Sequence, residues 1–274
     1  MTTRMWVLAF ACTSGLVAAA PSGAKPDKKA VAGKKAVIDQ LAIALDGVDD
    51  EAAAKAAGEL GESTDPAAHE ALLDGLAWGL RVPVAVEALT ALAKHPAPPD
   101  VSSLRRYATH HNPTVRGSAL TALALYPDPV AHAAVVQGLH DPAGVVRTSA
   151  ANAAAKAHVR EAIEPLFALL ARGEESAARA LAAMADADLV RKLGDQLGKV
   201  PDASLALCLG LVLRRPDFGP DAERVEVVRA IGKITDQAAV NALTDYIDAT
   251  PKNPPRPSRA EAEKMVEARL GGAK

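Results

Sequence analysis

Histidine and cysteine offer the most chemistry per residue, and this 274-residue chain has seven of the first and two of the second. The histidines are His69, His95, His110, His111, His132, His140 and His158. None stands in the order His-x-x-x-His that sets two imidazoles on one helix face for zinc. Cys208 lies in the apolar run Leu205-Ala-Leu-Cys-Leu with no acid–base partner in view, which reads as an inert buried thiol rather than a nucleophile. Cys12 and Cys208 alone make no disulfide framework. No Gly-rich phosphate loop, nucleophile elbow or paired-cysteine site occurs. These residue types point to no catalytic centre, no metal and no cofactor; surface or capping histidines are the expectation.

The elements that position these side chains follow from composition and spacing. Lys and Arg number 31 against 33 Asp and Glu, so no strong field draws the chain to nucleic acid. Aromatics are only 3% and alanine abounds, which favours helices in close contact. A pattern of small residues at helical spacing recurs: Ala54-x-x-Ala57-x-x-Leu60, Ala85-x-x-Ala88-x-x-Ala91, Arg116-x-x-Ala119-x-x-Ala122, Arg147-x-x-Ala150-x-x-Ala153 and Ala177-x-x-Ala180-x-x-Ala183. The first four start 31 residues apart, and looser copies start at Ser204 and Val227. A fixed period of this size predicts a solenoid. Second helices are expected between the copies, over 65–76, 100–109, 128–139, 160–171, 188–197 and 235–247. Several open with Asp-Pro, where Asp accepts from free N–H groups and Pro lacks an N–H that would go unmet.

Asp141-Pro142-x-x-Val145-Val146-Arg147-x-x-Ala150 and Asn112-Pro113-x-Val115-Arg116-x-x-Ala119 resemble HEAT repeats, of the short type noted in phycobilisome lyases. Residues 228–243 are similar, and the resemblance spans about 47–248. It implies an all-α, right-handed α-solenoid of about six to seven helix pairs, an ARM-like superhelix. In the family an Asp near the helix start and the following Arg stabilise the stack. Asn112, Arg116, Ala119, Asp141, Arg147 and Ala150 are therefore structural candidates, although only two of seven copies carry the Arg, which implies a short ladder. Deoxyhypusine hydroxylase is a HEAT-like enzyme whose iron pair is held by several His-Glu dipeptides. His69-Glu70 is the one such pair here, so the resemblance does not carry that activity. Second helices in such stacks commonly line a concave surface. Arg105, Arg106 and His110, then His132 and Gln137, then Arg191, Lys192 and Gln196 make either a mildly basic groove for an acidic peptide or a solvated face. Trp78 at a turn and Tyr107 on a second helix are candidate anchors for a protein or peptide partner.

The ends carry the address. Met1-Thr-Thr-Arg4, the apolar run 5–17 and Val17-Ala-Ala-Ala20 read as a signal peptide over 1–20, too short to span a bilayer. The expected location is secreted or periplasmic, with no membrane span after cleavage; a lipoprotein acylated at Cys12 is the alternative. Residues 21–35 read as a flexible basic linker, 36–249 as the solenoid, and 250–274 as a Pro-rich linker and C-terminal helix. Arg214-Arg-Pro-Asp-Phe-Gly-Pro220 reads as a loop that replaces a second helix and breaks the period. The final helix opens with Ser258-x-x-Glu261, a capping-box pattern, and either caps the stack or hangs free. Together these features describe an exported, non-catalytic scaffold for protein–protein interaction in a bacterial envelope. An accessory protein or enzyme related to HEAT-like lyases and hydroxylases, using the groove, is the alternative, and the oligomeric state is not specified.

Overall fold

Asp and Asn side chains start several of the helices. Asp49 accepts from the Glu51 N–H at 3.0 Å, Asp65 from Ala67 at 3.0 Å, Asn112 from Thr114 at 2.9 Å, Asp186 from Leu189 at 2.8 Å and Asp236 from Ala238 at 2.7 Å. Pro66, Pro113 and Pro129 take the first helical position, where no N–H is needed. The computed structural model describes residues 28–97 and 100–271. The signal segment 1–20, Cys12 included, lies outside the described residues.

The described residues form fifteen helices and no strand, arranged in two layers. The first layer holds α2 (Asp50–Glu62), α4 (Val82–Leu92), α6 (Pro113–Leu123), α8 (Gly144–Lys156), α10 (Glu175–Met184), α12 (Asp202–Arg214) and α14 (Gln237–Ala249), each stacked on the next. The second holds α1 (Lys28–Leu45), α3 (Pro66–Trp78), α5 (Asp100–Tyr107), α7 (Pro129–Gly138), α9 (Ile163–Ala171, entered through a 3-10 turn at Arg160–Ala162), α11 (Ala187–Gly194), α13 (Asp221–Gly232) and α15 (Pro257–Gly271). Seven pairs thus follow α1. One core runs through all of them, from Ile38 and Leu45 to Leu243 and Ala262.

Small residues let the first layer close up. A Cβ on Gly61 would stand 2.5 Å from the Ala91 Cβ, one on Gly117 2.7 Å from the Ser149 Oγ, and one on Gly210 2.9 Å from the Ala242 Cβ. These contacts join residues 30 to 32 apart, so the repeat keeps its length through α14.

That arrangement corrects several expectations and decides one alternative. The helix register placed at Val227 belongs to the second layer: α13 neighbours α11 and α15, while α14 stacks on α12. The stretch 214–220 therefore replaces no helix; it joins α12 to its own partner, with Phe218 buried beneath it. The final helix does not hang free, because α15 packs on α13 and α14 and Ala262 is fully buried. Its Ser258 forms no reciprocal cap with Glu261; the Ser258 N–H donates to Asp221 at 2.9 Å, and its hydroxyl meets Asp221 at 2.5 Å and Tyr246 at 2.6 Å. The basic stretch 21–35 is also not linker throughout, since α1 is helical from Lys28.

Candidate functional site

Most arginines are committed to the stack. Arg116 donates from Nε and Nη2 to Asp141 at 2.8 Å each, and from Nη1 to the carbonyls of His110 at 2.8 Å and His111 at 3.1 Å. Arg147 repeats the arrangement one unit on, with Glu174 at 2.9 Å and the carbonyls of Asp141 at 2.9 Å and Pro142 at 3.0 Å. Asp141 also accepts from the Ala143 N–H at 2.8 Å. The Arg116 guanidinium holds the Asp141 carboxyl below the usual carboxylate range against the opposing effect of burial. Ala119 and Ala150 are fully buried between these helices.

The ladder is longer than two arginines. Arg81 donates to the Val48 carbonyl at 2.6 Å and to that of Gly47. Arg215 reaches the carbonyls of Ala182 and Ala185 at 2.8 Å each. Arg224 gathers those of Leu213, Arg215 and Phe218 at 2.5, 2.8 and 2.6 Å. Arg259 clasps Ile247 and Thr250, and Arg269 clasps Gly232 and Ile234. Each meets backbone carbonyls in the last turn of a helix or in the loop beyond it. These arginines sit off the register of Arg116 and Arg147, which is why the repeat pattern does not reveal them.

A buried hub was also invisible as a motif. Asp100, with no exposed surface, accepts from the Ala97 N–H at 3.0 Å and the Tyr126 hydroxyl at 2.6 Å, and meets His69 Nε2 at 2.8 Å. Burial, and then the neighbouring Asp100, pushes the Tyr126 phenol well above its ordinary range. The 31-residue separation of His69 and Asp100 is the one sequence signal that would have paired them. His69 thus serves the stack, while Glu70 beside it is exposed. Burial alone pushes the Cys208 thiol up to about 12, which suits an unreactive side chain.

The candidate partner residues separate into two groups. Tyr107 is corrected from exposed anchor to buried strut: its hydroxyl donates to the Leu76 carbonyl, because the Leu76 turn lies directly against α5. His110 stacks on Tyr107 at 5.9 Å and accepts from the Asn112 N–H at 3.1 Å, and Arg106 Nη2 reaches Leu76 O at 3.3 Å. Trp78, in contrast, is 88% exposed at the end of α3. Arg105 and Gln137 come together across a groove of about 620 Å³ between α5 and α7, over a floor that includes Leu120, Ala133 and Ala134. His140 stands on its rim, whereas His132, half-buried on α7, does not line it. Arg191 and Lys192 line a separate groove of about 720 Å³ among carboxylates such as Asp188 and Glu226. Among the described residues no group of three His, Cys, Asp or Glu side chains could hold a metal, and no helix is long and apolar enough to cross a membrane.

The geometry has counterparts among known proteins. The family described as HEAT repeats matches residues 81–155 and 102–187. Kap121p is 14% identical over 88% of this chain and 30% of its own length, with a TM-score of 0.51. The complex of CpcE and CpcF of phycocyanin lyase from Nostoc sp. PCC7120 is 17% identical, covering 93% of this chain and 99% of that one at a TM-score of 0.46. Human deoxyhypusine hydroxylase is 20% identical over 86% of this chain and 99% of its own, at a TM-score of 0.39. None of the curated proteins matches. Residues 81–187 match HEAT repeats, and the paired helices on either side continue the same two layers at a constant period, so the described residues form an α-solenoid.

Proposed function

We propose that the protein is an exported, non-catalytic scaffold of a bacterial envelope that binds a protein or peptide partner across its second layer. The groove between α5 and α7 carries this reading. Its floor is apolar, and Arg105 on its wall forms no ion pair among the described residues, unlike Arg116 beside it. Such a groove suits a short acidic segment whose apolar side chains meet Leu120 and Ala134 while a carboxylate meets Arg105. The pattern of Met1–Ala20 supports export.

Affinity capture from an envelope fraction, followed by metal analysis of the purified protein, tests the proposal. Wild-type protein is expected to retain a partner that the double variant Arg105→Glu, Gln137→Glu loses, with helical content unchanged. Failure to recover a partner, together with stoichiometric bound metal, would favour the enzymatic alternative instead.

A further inference from the structure

The N-terminal end of the stack presents a second surface of opposite charge. Three of its large apolar side chains stand in solvent: Ile43 is 76% exposed, Val48 95% and Trp78 88%. They lie on α1, on the turn that follows it and at the end of α3. These helices are neighbours in the second layer, where a Cβ on Gly75 of α3 would stand 3.2 Å from the Leu45 Cδ1 of α1. The bond from Arg81 to the Val48 carbonyl, 2.6 Å, ties the α1–α2 turn to the turn just after Trp78.

Carboxylates surround this patch. Glu70, Asp74 and Trp78 follow one another at four-residue steps, so they share one face of α3; Asp39 and Ile43 do the same on α1. Asp39, Asp46, Glu70 and Asp74 are all exposed, and none forms an ion pair among the described residues. From residue 36 to 80 the chain has ten Asp and Glu and a single cation from Lys or Arg, Lys55. Arg81, the next cation, is already paired with Asp50 at 2.7 Å.

An exposed tryptophan with two aliphatic neighbours favours a partner that buries it. A purely apolar partner would strip water from unpaired carboxylates, and an anionic lipid surface would be repelled by them. We propose that the α1–α3 face docks a cationic amphipathic segment of a partner protein, with Trp78 as the anchor and Glu70 and Asp74 as charge partners. The face is distinct from the α5–α7 groove and does not depend on it.

The chain has two tryptophans, Trp6 and Trp78, so Trp6→Phe in the full chain leaves Trp78 as a direct reporter. Its emission is followed against a synthetic amphipathic helix of Lys and Leu, the same helix with Glu for Lys, and vesicles of phosphatidylcholine with phosphatidylglycerol. The lysine peptide is expected to shift Trp78 emission to shorter wavelength saturably, and the glutamate peptide to leave it unchanged. Adding Glu70→Lys and Asp74→Lys is expected to weaken the lysine peptide about tenfold or more. By calorimetry, Trp78→Ala is expected to weaken it as well. The proposal is overturned by no shift with the lysine peptide, by equal affinity in the charge-reversed or Trp78→Ala variants, or by a shift with vesicles alone.

Discussion

Asp100 joins three segments through one carboxylate, so its removal strands a histidine, a phenol and a backbone N–H together. Asp100→Ala is expected to cost about 3–5 kcal/mol in urea unfolding; a loss under about 1 kcal/mol would show the hub to be dispensable. The Arg116–Asp141 pair has a pH signature. Because the folded carboxyl is held below its ordinary range, its contribution is fully present above the unfolded value and disappears as pH falls through the folded one. Between about pH 5 and pH 2, the wild type is expected to lose more stability than Asp141→Asn; parallel losses would remove the pair from the account. At this scale the sequence was legible where a residue acts through its own helix. Asn112 and Asp65 announce their caps by position, whereas the burial of Tyr107 and exposure of Trp78 depend on what lies one repeat away.

Close approach of the first-layer helices is the element-scale claim, and two glycines test it with opposite signs. A Cβ on Gly61 would meet both Cβ and Cα of Ala91, at 2.5 and 2.8 Å, and backbone cannot step aside. Gly61→Ala is therefore expected to destabilise by about 1–3 kcal/mol despite the better helix former. Gly33 in α1 has nothing within 4 Å of such a Cβ. Gly33→Ala should stabilise by up to about 1 kcal/mol, because only helix propensity changes. Thermal melts with equal shifts would contradict the packing described. Helix existence was readable from apolar spacing across the repeats but not at α1, and layer membership failed at the C-terminal end. Ala230, Ile231 and Ile234 mimic the first-layer pattern, yet a helix joins the layer its neighbours leave open, and α12 had already filled the first-layer place before α13.

Across the whole molecule, charge is divided between holding the stack and standing free for the proposed partners. Arginines that clasp carbonyls and carboxylates that cap helices hold the stack, while Glu70 and Asp74 at α3 and Arg105 at α5 form no ion pair among the described residues. The repeat itself was legible because a solenoid writes its period into local spacing. The division of the surface was not, since sign and exposure emerge only when helices from successive units stand side by side. The most direct test places a photo-crosslinking residue at Gln137 or at Trp78 on the second layer, and at Thr121, exposed on first-layer α6, in the native cell. Partner adducts from the second-layer positions and none from Thr121 are the expected result; adducts from Thr121 alone would contradict the assignment of the binding face.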